Sequence, residues 1–182
     1  VTVNGIRLPL LYVSPGQING QLPFSTVGRL STVLHAPGGL SDTYFAEVRP
    51  AAPAVFQISV AGQPGTYPAV VRARNNQLAT LSNPLRPNET FLVFASGLGD
   101  VGPAVPAGSA APLSPLAVAR VAPQLTLGDT PVPVVFAGLA PGFVGLYQIN
   151  AVVPPDAPLG LQIPLKITAG TSTTSVNVRV VD

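Results

Sequence analysis

The chain has 182 residues, of which 47% are hydrophobic and only 9% are charged, and its formal net charge is +2. Globular proteins usually have about 25% charged residues, and disordered chains combine high charge with few apolar residues. The composition therefore excludes a disordered chain. The nine Lys and Arg residues are scattered along the sequence, so they form no basic cluster of the kind that binds nucleic acid.

The 22 prolines and 18 glycines predict short strands joined by turns, because proline breaks helix interiors. No apolar run reaches the roughly 18 residues that a membrane helix needs, so we expect no membrane insertion. The absence of Cys excludes disulfides, thiolate metal sites and Cys nucleophiles. A chain that starts at Val1 and has no Met is expected to be a processed product or an excised piece. Its sparse charge and many small residues are typical of exported bacterial proteins, and we expect it to be secreted, either extracellular or at the cell surface.

An internal repeat is the most informative feature of the sequence. Residues 1–12 (VTVNGIRLPLLY) and 125–136 (LTLGDTPVPVVF) place Thr, Pro and an aromatic residue in the same order, and both copies then reach a Pro-Gly pair. The second copy has an insertion, 143–147, after which both continue with the same tripeptide: Gln17, Ile18 and Asn19 in the first copy, and Gln148, Ile149 and Asn150 in the second. Farther on, Gly28, Gly38 and Val48 align with Gly160, Gly170 and Val180. Self-similarity in one register indicates duplicated modules.

Each copy has the alternation of a β-strand. Ile163, Leu165 and Ile167 alternate with polar residues, and a second alternating run follows the turn at 170–172, which predicts a hairpin. The first copy has the counterpart run Tyr44, Ala46 and Val48 after a turn at 37–39. We predict strands at 55–60, 69–73, 88–96, 125–128, 132–137, 146–152, 161–168 and 174–181. The proline-rich stretch 104–115 is predicted to be an ordered loop.

The predicted fold is all-β, with tandem immunoglobulin-like β-sandwich modules. Residues 51–182 supply about seven strands, enough for one complete sandwich. Residues 1–50 match only the later half of that module. A half-sandwich exposes an apolar face and unpaired strand edges, so either the chain is cut from a longer protein or another chain fills the gap.

Three stretches carry a resemblance to a known family: Leu10 to Asn19 (LLYVSPGQIN), Gly138 to Asn150 (GLAPGFVGLYQIN) and Phe94 to Gly99 (FASGLG). They resemble the uncharacterised C-terminal domain family first noted in Solibacter. The resemblance implies secreted, often multidomain proteins with immunoglobulin-like folds at the C-terminus. It implies no activity, because that family has no established catalytic residues.

No constellation in the sequence predicts an enzyme. His35 is the only histidine; it aligns with Ile167, so we expect it at an inward-facing position, partly buried or at the end of the sandwich. The acids form no D-x-D loop that could cage calcium. Gly97-Leu98-Gly99 is followed by no Lys-Ser/Thr pair, which favours a tight turn or bulge over a phosphate loop. We predict no catalytic residues, no cofactor and no metal site.

The repeated Gln-Ile-Asn tripeptide could contact a ligand or satisfy backbone groups at a strand turn, and its presence in both copies favours the structural role. The function that fits is a non-enzymatic extracellular structural protein, a filament subunit completed by a strand or sheet from a neighbouring chain in a head-to-tail homopolymer. The alternative is an accessory module of a larger secreted protein, with a surface glycan or a protein as its partner. Tyr12, Phe136, Phe143 and Tyr147 lie in core-like strings, which leaves Tyr67 and Phe24 for a sugar-binding platform.

Overall fold

The computed structural model describes residues 1–63 and 65–182. These residues form 22 strands and no helix, and every strand-to-strand ladder is antiparallel. The all-β prediction is therefore confirmed, and the physical reason is the dense spacing of proline and glycine, which leaves no segment free to form a helix.

The first 50 residues contain eight strands, and three small sheets result from their pairing. The strands are β1 (Thr2–Val3), β2 (Ile6–Arg7), β3 (Leu10–Ser14), β4 (Gln17–Gly20), β5 (Gly28–Val33), β6 (His35–Ala36), β7 (Gly39–Leu40) and β8 (Tyr44–Val48). The largest sheet has the order β2-β1-β5-β8, and the β3–β4 and β6–β7 hairpins form the other two.

The remaining residues form two larger sheets and one separate hairpin. Their strands are β9 (Ala54–Val55), β10 (Gln57–Ser59), β11 (Thr66–Pro68), β12 (Val70–Arg72), β13 (Gln77–Leu78), β14 (Thr90–Ser96), β15 (Val101–Gly102), β16 (Val118–Ala119), β17 (Gln124–Leu127), β18 (Thr130–Val132), β19 (Val134–Leu139), β20 (Tyr147–Val152), β21 (Gly160–Ala169) and β22 (Ser172–Val180). One sheet has the order β13-β12-β14-β20-β19-β16-β15, with β9 beside β14, and the other has the order β18-β17-β21-β22.

The two larger sheets share one hydrophobic core. Strands β14 and β20 alternate between buried and half-buried or exposed residues, which is the period of two expected of a strand with one face inward. Phe91, Val93 and Ile149 from one sheet and Leu165 and Ile167 from the other are fully buried in the same cluster. Burial of each such side chain stabilises the fold by about 1.5–3 kcal/mol.

The predicted strands are found close to their predicted positions, with two differences. The run 132–137, predicted as one strand, is divided at Pro133, because Val132 ends β18 and Val134 begins β19, which lie in different sheets. The run 55–60, predicted as one strand, is divided at Phe56 into β9 and β10. The reason is a change of partner: β9 pairs with β14, whereas β10 pairs with β11. The stretch 104–115 contains no strand. Its Val105 and Ala111 are buried, so it is held against the core.

Residues 1–50 (the first repeat) and residues 124–182 (the second repeat) have the same strand order. Sheet β2-β1-β5-β8 corresponds to β18-β17-β21-β22, and hairpin β3–β4 corresponds to β19–β20. The two hairpins share a register shift, just before Tyr12 and just before Phe136. Gly28 lies opposite Val48, as Gly160 lies opposite Val180. The registers therefore match except at an irregularity in β21 between Gly160 and Ile163, which β5 lacks. Residues of the two repeats are therefore compared through their strand partners.

Candidate functional site: the open face of the first repeat

The β3–β4 hairpin presents to solvent a surface that its counterpart buries. Val13 lies opposite Ile18, and the matching pair in the second repeat is Ala137 and Ile149. Val13 is 61% exposed, whereas Ala137 is 6% and Ile149 is 0% exposed. The sequence positions and the pairing are equivalent, so the difference in exposure comes from what covers each hairpin.

Strand β14 is one part of what covers the second repeat. It pairs with β20 from Thr90 opposite Val152 to Ala95 opposite Tyr147, on the edge of β20 that β19 does not occupy. Strand β4, the counterpart of β20, pairs with β3 and with no other strand in residues 1–63 and 65–182. Its outer edge therefore carries backbone N–H and C=O groups that another strand could satisfy.

The four-stranded sheet of the first repeat is open on the corresponding face. Tyr44 occupies the position of Val176, because each pairs with the matching residue of the neighbouring strand, Thr32 or Leu165. Tyr44 is 71% exposed, whereas Val176 packs against the core. Within residues 1–50, the buried residues are Val3, Gln21 and Leu30. An uncovered sheet with so little burial contributes little stability of its own.

The repeated tripeptide makes the same side-chain contact twice. The Nε2 of Gln17 donates to the Oδ1 of Asn19 at 2.7 Å, and the Nε2 of Gln148 donates to the Oδ1 of Asn150 at 2.7 Å. In β20 the intervening Ile149 is buried while the Gln and Asn side chains lie on the other face of the strand. The contact thus satisfies one polar group of each side chain on the outer face.

Residues 21–24 attach the first repeat to the rest of the chain. The Oε1 of Gln21 accepts a hydrogen bond from the backbone N–H of Gly108 at 2.7 Å. The ring of Phe24 meets the ring of Tyr147 edge to face, with centroids 6.1 Å apart. Phe24 is half-buried and packs on the core, so it is not the freely exposed ring that a sugar-binding platform needs.

The Gly97-Leu98-Gly99 segment forms a close contact between two backbone stretches. Gly97 has φ +75° and Gly99 has φ +92°, and a Cβ on Gly97 would lie 2.1 Å from the carbonyl oxygen of Ala52. The hydroxyl of Tyr147 donates to the carbonyl oxygen of Gly99. Burial of the Tyr147 phenol raises its pKa above the usual range, and the negative charge of Asp100 adds to the effect. Gly97 and Gly99 thus have a structural role, because only a residue without a side chain allows this close approach of the backbone.

His35 lies at the surface, and the expectation of an inward-facing position was wrong. It is exposed, and its Nε2 lies 3.0 Å from the Oγ1 of Thr2. The cause is an irregularity in β21 between Gly160 and Ile163, after which the numbering of the two repeats differs by one residue. His35 therefore corresponds to Thr168, whose side chain points to the opposite face from that of Ile167.

Two aromatic residues expected in the core are also exposed. Tyr12 is 51% exposed and Phe143 is 57% exposed. Phe143 lines a groove of about 350 Å³ together with Phe56, Ile58 and Gln148, on the outer face of the sheet. Tyr12 belongs to the open hairpin. The sequence pattern alone does not show which face of a strand becomes covered.

No family model, curated protein or solved structure matches the chain. Residues 1–63 and 65–182 contain no cluster of three or more His, Asp or Glu side chains that could hold a metal ion. Over the same residues, no helix has the length and apolar character needed to cross a membrane. The feature that departs most from a closed fold is the open face of the first repeat, formed by the β3–β4 hairpin and the β2-β1-β5-β8 sheet.

Proposed function

We propose that the protein is a non-enzymatic structural protein, extracellular or at the cell surface, built from immunoglobulin-like β-sandwich modules that assemble with neighbouring chains. The observation that carries the proposal is that Val13 is 61% exposed and Ile18 opposite it is half-buried, whereas the matching pair Ala137 and Ile149 is buried. An apolar face and an open strand edge are liabilities for a monomer. A strand or sheet from another chain would cover both.

The assembly is a head-to-tail homopolymer. The open face belongs to the first repeat, and the second repeat has the equivalent surface already covered, so a chain cannot offer the same open face at both ends. Two open faces paired with each other would close as a dimer. In the assembly we propose, the open face instead meets a different surface of the neighbouring chain, and such a contact propagates as a filament unless it closes into a ring. The formal net charge of +2 opposes close contact between copies only weakly.

A second candidate function is an accessory binding module of a larger secreted protein, which the resemblance to the Solibacter-type family supports. The observation in its favour is the groove beside Phe143, where Phe56 is 46% exposed and Ile58 is 41% exposed. Exposed aromatic rings are the usual contacts for sugars and for apolar peptide side chains. The partner would be a surface glycan or a protein.

The test is the mass of the intact chain, measured by size-exclusion chromatography with light scattering over a range of concentrations and supported by electron microscopy. We expect species larger than one chain, and we expect Val13→Asp to return the protein to the monomer. Val135→Asp is the matched control, because Val135 is 70% exposed and lies in the equivalent hairpin outside the open face. A wild-type monomer at every concentration would contradict the homopolymer.

A further inference from the structure

We infer that the loop 104–115 and the insertion 143–147 form a receiving surface for the first repeat, and that this surface fixes the position of residues 1–50 relative to residues 51–182. The partner that fits the surface is the end of a repeat hairpin that carries a buried glutamine, here Gln21. Modules joined by a chain segment alone usually move relative to each other. A second attachment therefore decides whether the chain behaves as one rigid body. Every contact described below lies within one chain, so the attachment is independent of the proposed assembly.

The insertion is a feature of the second repeat alone. The hairpin β3–β4 turns through residues 15–16. The hairpin β19–β20 has one further pair, Leu139 opposite Tyr147, and turns through residues 140–146. Because the longer turn extends beyond the shared part of the hairpin, it can make contacts that the first repeat cannot make with its own short turn.

The loop and the insertion hold each other in place. The backbone N–H of Ala111 donates to the carbonyl oxygen of Phe143, and the N–H of Gly142 donates to the carbonyl oxygen of Ala111, both at 2.9 Å. Ala110 forms an antiparallel bridge with Val144. Ala111 is 3% exposed and belongs to the core cluster. The receiving surface is therefore a fixed part of the sandwich formed by residues 51–182.

Gln21 is the residue of the first repeat that this surface holds. It is 8% exposed, and its Oε1 accepts a hydrogen bond from the backbone N–H of Gly108 at 2.7 Å. The N–H of Gln21 itself donates to the carbonyl oxygen of Pro9 at 3.0 Å. A Cβ on Gly108 would lie 2.6 Å from the Cβ of Pro9, and a Cβ on Gly145 would lie 3.1 Å from the Nε2 of Gln21. Residues without a side chain at these two positions thus allow the first repeat to approach closely.

Two other contacts add to this attachment. The ring of Phe24 meets the ring of Tyr147 edge to face, with centroids 6.1 Å apart. In the segment that joins the two parts of the chain, the N–H of Ala52 donates to the carbonyl oxygen of Gly97 at 2.8 Å. The first repeat is thus held at the end of its hairpin as well as through the joining segment. Rotation about that segment requires the hydrogen bond between Gln21 and the receiving surface to break.

The first experiment measures the distance between spin labels at Thr43→Cys and Ser175→Cys by double electron–electron resonance. Both positions are exposed and the chain has no Cys of its own, and dilution with unlabelled chain removes distances between copies. We expect one narrow distance distribution. Gly108→Ala should broaden it, because the added methyl group meets the ring of Pro9. Gly142→Ala is the matched control and should leave it narrow: both glycines have φ +81°, and nothing lies within 4 Å of a Cβ on Gly142.

The second experiment changes the first repeat and leaves the receiving surface intact. Gln21→Ala removes the acceptor for the N–H of Gly108, so exchange of that amide, followed by NMR, should become at least about fivefold faster. The distance distribution should broaden as well. Gln17→Ala is the control, because the side chain of Gln17 bonds only to Asn19 of its own hairpin. It should leave both the amide exchange of Gly108 and the distance distribution unchanged.

A broad distance distribution in the wild-type chain would overturn the inference. Distributions as narrow as that of the wild type in both Gly108→Ala and Gln21→Ala would also overturn it. Equal broadening in Gly108→Ala and Gly142→Ala would assign the effect to backbone strain, which is the same in both, and would contradict a specific contact with the first repeat.

Discussion

Arg72 and Glu89 form an ion pair, with the Nη2 of Arg72 2.6 Å from the Oε2 of Glu89 and side chains 9% and 12% exposed. Glu89 also accepts a hydrogen bond from the backbone N–H of Arg86 at 2.8 Å, and Arg72 donates to the Oδ1 of Asn83 at 2.7 Å. The pair connects β12 to the loop that leads into β14. Each charge is satisfied by several partners, so removal of one leaves the other uncompensated in a desolvated position.

We predict that Glu89→Ala lowers the free energy of unfolding by about 3–5 kcal/mol, the cost of breaking a buried ion pair by removing one partner. The control is Arg120→Gln at the exposed pair Arg120–Asp100, whose side chains are 58% and 42% exposed. That change should cost about 1 kcal/mol or less. Urea denaturation measures both. Equal losses of unfolding free energy in the two variants would contradict a desolvated ion pair between Arg72 and Glu89.

A second prediction concerns the close contact at Gly97. Gly97→Ala places a methyl group 2.1 Å from the carbonyl oxygen of Ala52 at φ +75°, so the substitution adds a backbone clash to conformational strain. Gly170→Ala is the control: its φ is +59° and nothing lies within 4 Å of the added Cβ. Strain alone costs about 1–2 kcal/mol. We expect Gly97→Ala to be clearly more destabilising than Gly170→Ala in thermal unfolding, and a similar loss for both would contradict the close approach.

The third prediction concerns how the free energy of unfolding depends on Tyr147 at alkaline pH. Burial raises the pKa of its phenol, so above about pH 10 the unfolded chain releases the proton while the native state retains it. The native state then binds more protons, and the free energy of unfolding falls as the pH rises from about 10 toward the native pKa. Tyr147→Phe removes this contribution. We expect a shallower loss of stability in the variant than in the wild type between about pH 9 and 11, from urea titrations at each pH; parallel curves would refute it.

Strand positions follow from the sequence wherever a period of two is visible, as in β14 and β21, because alternation records which side of the strand meets the core. Two other features cannot be predicted from the local sequence pattern. The division at Phe56 depends on which strands the flanking residues pair with, and the exposure of His35 depends on an irregularity between Gly160 and Ile163. Exposure of Tyr12 is a third case. Its alternation matches a buried strand, but burial also requires a second layer, and that layer is a property of the assembled fold.

The last prediction concerns local stability in the open hairpin. Amide hydrogens in a strand exchange through local opening, whose free energy depends on how much apolar surface the strand buries. In β19–β20, Ala137 and Ile149 are buried, whereas in β3–β4 their counterpart Val13 is 61% exposed. The pairing between the two strands is alike in both hairpins. However, β20 also pairs with β14 and β19 with β16, whereas β3 and β4 pair only with each other among the described residues. The first hairpin therefore has both less burial and free strand edges. At concentrations where the chain is monomeric, amides of β3–β4 should therefore exchange at least about 100-fold faster than those of β19–β20, a factor that about 2.8 kcal/mol of opening free energy would produce.

Hydrogen–deuterium exchange with mass spectrometry measures this difference directly, with the β19–β20 hairpin as the internal control. Raising the chain concentration should slow exchange in β3–β4 and leave β20 unchanged, because assembly covers the open face of the first repeat. Protection in β3–β4 equal to that in β19–β20 in the monomer would mean that the first repeat is stable without a partner, and assembly would then not be needed to complete it.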